Sequence, residues 1–253
     1  VSDDKVLDEL LKDKVKNKLN DAGVVSNGTD EIVCIVDRSG SMGSMQVEAE
    51  GGINAFIEEQ RKVGQANLTI VEFDNYVDVV CDQVKINEAA PYILKPRGMT
   101  SLLDAIGTVI SDAEKYTSKD GKTIVVVMTD GDENSSKEWT RDKIFNLINE
   151  RKEAGWEFMF LAAGQNAISV GQNYGFDKDS TVSFANSGHG VYHATNVATA
   201  YTTTLRSASK KDALFAKSAY VSANLDALSE VGNVGDVVPD INGTAPDITS
   251  EKK

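Results

Sequence analysis

The sequence predicts an α/β fold, a doubly wound, mainly parallel six-stranded sheet with one antiparallel edge strand, Rossmann-like in its layering. Three observations predict it. The runs Glu31-Ile32-Val33-Cys34-Ile35-Val36 and Thr123-Ile124-Val125-Val126-Val127-Met128-Thr129 are short, apolar and rich in β-branched residues, as strands buried on both faces are. Each run stops at an aspartate, Asp37 and Asp130, and a polar, glycine-containing turn follows. Helical and strand patterns then alternate in the order β-α-β-β-α-β-α-β-α-β-α, which puts helices on both faces of the sheet and makes its crossovers right-handed.

Residues 3–20 read as a charged amphipathic helix, with Leu7, Leu11, Val15 and Leu19 at four-residue intervals. A linker with the Asn27-Gly28 turn signal closes this N-terminal unit, 1–29. The α/β domain is expected over 30–210. After the first strand, Met45 to Val63 carries Ala49, Ile53, Phe56 and Ile57 at helical spacing. Gly51-Gly52 inside it costs about 1 kcal/mol per glycine, which predicts close packing of that helix on the sheet. Leu68 to Phe73 and Val77 to Cys81, joined through Asp74-Asn75, form an edge hairpin. Ala89 to Gly98 is irregular, and Thr100 or Ser101 is expected to cap the helix carrying Leu102, Leu103, Ile106, Val109 and Ile110. After the Thr123–Thr129 strand come a helix from about 140 to 152 with Ile144, Leu147 and Ile148 inward, a strand from Trp156 to Ala162, a short helix from Ala167 to Tyr174, a strand from Thr181 to Ala185 and a helix from His189 to Arg206. The segment 211–253 is a C-terminal extension, helical near 213–228 and then rich in Gly, Asp, Pro and Ser, hence extended or disordered.

Composition narrows the function. Of the 253 residues, 41% are apolar and 26% charged, which is ordinary for a soluble globular protein. No run approaches the ~18 apolar residues of a membrane span, and the charged start shows no secretory signal. The net charge of −13 argues against a binder of nucleic-acid backbones, which needs clustered Lys and Arg. Cys34 and Cys81 are too few for a disulfide framework and read as buried thiols. A cytoplasmic setting is expected.

The chemistry collects at the strand ends. Ligands of open α/β sheets sit beyond the carboxyl ends of the strands, so Asp37 and Asp130 converge there with Ser39 and Ser41 of the first turn and Thr100 at a helix start. Five oxygen groups, with water, can fill an octahedron at about 2.0–2.1 Å around Mg²⁺, or serve Mn²⁺ or Ca²⁺. Arg38, Gly40, Met99, Asp104 and Asp132 are candidates for touching a ligand or supporting the metal's donors. Arg38 suits a ligand carboxylate or open solvent. Asp104 suits the threonine loop or the helix dipole. Asp132 and Glu133 either enlarge the acidic site or are solvated, and Met42, Met45 and Met99 either surround the metal or pack locally. His189 and His193 have the spacing of a zinc pair, but His-Gly-Val-Tyr-His lacks the glutamate of H-E-x-x-H and a third ligand, so no metal is expected there.

Asp37-Arg38-Ser39-Gly40-Ser41 resembles the D-x-S-x-S motif of von Willebrand factor A (vWA) domains. Thr100 matches the threonine of their second loop, and Asp130-Gly131 the aspartate of their third. The runs DRSGSM, RGMTSLLDAIG, TDGDENSS and GWEFMFLAAG are similar to stand-alone vWA proteins of bacteria and phages, some encoded near tellurite-resistance genes. The resemblance covers about residues 30–210 and implies an intact metal-ion-dependent adhesion site (MIDAS). In it Ser39, Ser41 and Thr100 bind the metal directly, Asp37 and Asp130 act largely through waters, and an Asp or Glu of a protein partner completes the sphere.

The expected function is therefore non-enzymatic, a divalent-metal-dependent protein–protein interaction module. Two alternatives stand beside it. One is an assembly protein, of a virion or stress-response complex, whose termini do the work. The other is a hydrolase using Asp37, although phosphatases of the haloacid dehalogenase type need an acid where Ser39 stands.

Overall fold

The computed structural model describes residues 28–117, 120–131, 133–164 and 166–207. The helices expected at 3–20 and 213–228, and Asp132, lie outside the described residues. Six strands form one sheet: β1 (Asp30–Asp37), β2 (Ala66–Phe73), β3 (Val77–Lys85), β4 (Thr123–Thr129), β5 (Glu157–Ala163) and β6 (Thr181–Phe184). Their order is β3-β2-β1-β4-β5-β6. All neighbours are parallel except β2 and β3, which are antiparallel. This is the expected sheet, with β3 at the open edge.

Among the described residues five α-helices cover it: α1 (Gln46–Val63), α2 (Leu102–Ala113), α3 (Arg141–Glu153), α4 (Ala167–Asn173) and α5 (Gly188–Ser207). Alternation along each strand sorts the core into two layers. Ile32, Cys34 and Val36 of β1 pack with Ile124, Val126 and Met128 of β4 beneath α1 and α5. Val33 and Ile35 pack with Val125 and Val127 beneath α2, α3 and α4. Cys34, buried and unpaired, has its thiol pushed up to about 12 by burial and by the nearby Cys81.

Two local expectations are corrected. The Gly51-Gly52 pair does not approach the sheet. A Cβ at Gly52 would lie 2.3 Å from Thr195 Oγ1 on α5, whereas Gly51 faces open space. Gly52 thus lets two helices of one layer come together. Ser101 does sit at the N-cap of α2, but neither it nor Thr100 caps the helix with its side chain; the Ser101 hydroxyl donates to the carbonyl of Asp74. No described helix is long and apolar enough to cross a membrane.

Candidate functional site

Parallel pairing puts the carboxyl ends of β1 and β4 side by side. Val36 is in register with Met128, so Asp37 lies level with Thr129, and Asp130 follows one residue later. Asp37 is fully buried. Its Oδ1 accepts the Ser39 amide at 2.6 Å and its Oδ2 accepts the Thr129 hydroxyl at 2.6 Å. The first bond turns the chain sharply as β1 ends, in the manner of an Asx turn. A 3-10 turn over Gly40–Met45 then leads into α1 and drops Met42 and Met45 into the core.

Within this turn Ser39 Oγ and Ser41 Oγ are 3.0 Å apart, and Ser41 Oγ donates to Asp130 Oδ1 at 2.8 Å. Thr100 is buried, held by its amide donating to Asn134 Oδ1 and its carbonyl accepting the amides of Asn134 and Ser135. Gly131 stands between the two sides. A Cβ there would lie 3.4 Å from Thr100 Oγ1 and 3.7 Å from Ser41 Oγ. Asp37, Ser39, Ser41, Thr100 and Asp130 therefore meet at one end of the sheet.

The electrostatics of this cluster are unbalanced. Asp130 Oδ2 is buried with no hydrogen-bond partner. Burial pushes the Asp37 carboxyl up to about 6, with the neighbouring Asp130 adding to the rise and hydrogen bonds from Thr129 and Ser39 opposing it. Burial also raises Asp130 against the bond from Ser41. Two buried carboxyls flanked by neutral hydroxyls lack a compensating positive charge. The donor set is all oxygen, which suits a hard divalent cation. Among the described residues no group of three or more His, Cys, Asp or Glu is placed to hold a metal ion.

The supporting candidates divide. Arg38 is neither solvated nor free for a ligand. It is buried, with Nη1 2.9 Å from Glu72 Oε2, Nε 3.1 Å from Asp74 Oδ2, and Nη2 paired with Asp78. Asp37 pairs with Phe73, which brings Arg38 level with the acids of the β2–β3 hairpin. Gly40 is exposed and donates its amide to Gly98 O at 3.1 Å. Met99 is half-exposed beside Thr100, its amide donated to Asn75 Oδ1. That approach needs glycine at position 98, which has φ +74° and whose Cβ would lie 2.6 Å from the same Asn75 oxygen. Asp104 accepts the amides of Lys137, Glu138 and Trp139 at 2.8–2.9 Å, so it orders the loop after β4 instead of the threonine loop. His189 and His193 meet edge to face, with ring centroids 4.7 Å apart.

Three contributors escaped the sequence reading. Thr129 fixes Asp37. Glu133, expected as a solvated or site acid, accepts the amides of Leu103, Ser135 and Ser136 and the Ser136 hydroxyl; it takes over the cap of α2 across the chain. Asp74 ties the hairpin to Arg38, Arg97 and Ser101. Glu133 lies three residues before Ser136, a spacing visible in the sequence, but only its reach to Leu103 makes it a cap.

Residues 32–133 match the family model of the von Willebrand factor type A domain. A search of curated proteins returns no match. Among solved structures, proximal thread matrix protein 1 of the mussel byssus, in a form with a zinc-occupied MIDAS motif, superposes with a TM-score of 0.50 at 17% identity, over 67% of this chain and 46% of that one. The pilus adhesin SpaC of Lactobacillus rhamnosus GG gives 0.56 at 15% identity, over 71% and 30%. The vWF domain of the type V pili tip protein Mfa5 from Porphyromonas gingivalis gives 0.52 at 10%, over 69% and 95%. The chain thus spans less than half the length of the mussel protein. At these identities the likeness is one of fold.

Proposed function

We propose that the chain, of which residues 32–133 match the von Willebrand factor type A model, is a divalent-metal-dependent protein-binding module. Ser39, Ser41 and Thr100 would hold the cation through their hydroxyls, with Asp37 and Asp130 supporting it through water. Mg²⁺ fits the all-oxygen donors, with Mn²⁺ or Ca²⁺ as substitutes. When bound, the cation supplies a positive charge that a partner's Asp or Glu can complete.

The observation that carries this reading is Asp130 Oδ2, a buried carboxylate oxygen without a partner beside three neutral hydroxyl side chains. Neutral donors leave most of a cation's charge unspent, which favours an incoming carboxylate in a charge-assisted contact. The net charge of −13 would slow acidic partners until the site is loaded. The names of the structural neighbours, a pilus adhesin, a pilus tip protein and a thread matrix protein, support binding over catalysis. So does the site itself, where Ser39 occupies the place a second catalytic acid would need.

The test is affinity capture from the native host in Mg²⁺ with elution by EDTA, using the wild type, Asp37→Ala and Thr100→Ala. A protein partner retained only by the wild type, and released by EDTA, is expected. Equal retention by all three, with or without EDTA, would overturn the reading.

A further inference from the structure

We propose that Asp74 is a positioning residue for this site, fixing the Thr100 loop against the Ser39–Ser41 loop and so setting how tightly a divalent cation is held without touching it. The inference rests on the metal-binding reading above. Asp74 lies in the β2–β3 turn and is 2% exposed. Its carbonyl accepts the Ser101 amide at 2.9 Å and the Ser101 hydroxyl. Its Oδ2 accepts Arg38 Nε at 3.1 Å and Arg97 Nε at 2.7 Å, and its Oδ1 accepts the Tyr76 amide at 2.8 Å.

These partners bracket the candidate donors. Arg38 stands between Asp37 and Ser39, and Arg97 and Ser101 stand on either side of Thr100. Two backbone bonds close the same junction, from the Arg97 amide to Arg38 O at 2.6 Å and from the Gly40 amide to Gly98 O at 3.1 Å. One carboxylate therefore receives a charged donor from each of two loops that must present hydroxyls to one point. Such constellations must be held to within about 0.5 Å to work. Asp78 Oδ2 also meets both guanidiniums, pairing with Arg38 Nη2 and lying 3.3 Å from Arg97 Nη2, but its side chain is 51% exposed; an amide at position 74 keeps the size but removes the charged oxygen that is shared in the buried junction. The clamp also has an accessible half, because Arg97 is 60% exposed at its side chain whereas Arg38 is 9% exposed.

The test compares wild type, Asp37→Ala, Asp74→Asn, Arg97→Gln and Ile148→Val, the last a core change on the buried face of α3 and away from the site. Each is checked for folding by circular dichroism and titrated calorimetrically with Mn²⁺. Amide hydrogen exchange is followed separately in EDTA. The wild type should bind and Asp37→Ala should not. Asp74→Asn should weaken binding by about 10–100-fold, as loss of a group that orients metal ligands does, and Arg97→Gln should weaken it several-fold, while Ile148→Val leaves it unchanged. In EDTA the Gly40 and Ser101 amides should exchange faster in the two clamp variants only. Mn²⁺ affinity within twofold of wild type in Asp74→Asn overturns the proposal, as does the same result in Arg97→Gln should Asp74→Asn fail to fold. If wild type and Asp37→Ala bind Mn²⁺ alike, the metal-binding reading itself is overturned and this inference with it.

Discussion

Ser41 donates a 2.8 Å hydrogen bond to one oxygen of Asp130, while the other oxygen of that carboxylate is buried without a partner. The serine comes from the turn after β1 and the aspartate from the end of β4, so the contact joins two separate loops through half of a carboxylate. A buried carboxylate oxygen without a partner is a local weak point in the fold.

Removing a buried, uncompensated charge should help the metal-free fold and harm the loaded one. Asp130→Asn is expected to melt at or above the wild-type temperature in EDTA. Mg²⁺ should stabilise the wild type by about 2.7 kcal/mol at a hundredfold excess over its Kd and leave the variant unmoved. Thermal denaturation of both proteins, with and without Mg²⁺, decides this. A variant that loses stability in EDTA yet keeps the Mg²⁺ response would contradict it.

Gly131 offers a test by volume. A methyl group there would sit 3.4 Å from Thr100 Oγ1 and 3.7 Å from Ser41 Oγ, ordinary contact distances that do not disturb the fold. Gly131→Ala should therefore unfold like the wild type in EDTA. It should bind Mn²⁺ at least about tenfold more weakly, because the methyl occupies space between hydroxyls that, on the proposed reading, would share one ion and its waters. Calorimetric titration reads the affinity, and unchanged binding would place the cation elsewhere.

Much of this architecture was legible in the sequence for a physical reason. Strands buried on both faces are apolar throughout, so β1 and β4 announce themselves, and their terminal acids mark one edge of the sheet. What escaped depended on register and on contacts between distant segments. Arg38 reads as a surface residue until pairing of Asp37 with Phe73 sets it among Glu72, Asp74 and Asp78. Gly52 reads as a sheet contact until Thr195, far along the chain, fills the space above it. The capping of α2 was misassigned because Ser101, the right residue type in the right place, gives its hydroxyl to Asp74 instead.

Glu133 should carry measurable stability through that cap. Its carboxylate accepts the Leu103 amide at 2.9 Å, the Ser135 amide at 3.0 Å and the Ser136 amide at 2.7 Å. Glu133→Ala leaves the Leu103 amide in the first turn of α2 without its acceptor, and caps of this kind are worth about 0.5–2 kcal/mol. Denaturant unfolding in EDTA should show a loss in that range with an unchanged slope. Wild-type stability would mean that water replaces the carboxylate at no cost.

The Asp74 clamp predicts a pH dependence whose sign can be worked out. Burial alone would raise this carboxyl, but hydrogen bonds from Arg97, the Tyr76 amide and Arg38 outweigh it and hold the group below its ordinary 3.8. As pH falls, the unfolded chain takes up the proton first, near 3.8, while the folded protein keeps the charge. The stabilising contribution is thus fully present above the unfolded value and is lost as pH falls through the lower folded one. Wild type should exceed Asp74→Asn by about 1.5–3 kcal/mol at neutral pH, the usual worth of hydrogen bonds to a charged group. That gap should stay level down to about pH 5 and close below the ordinary carboxylate value. Urea unfolding of both proteins in EDTA across this range measures it. A gap that persists undiminished at the acid end would show that the charge on Asp74 is not what joins Arg38 to Arg97.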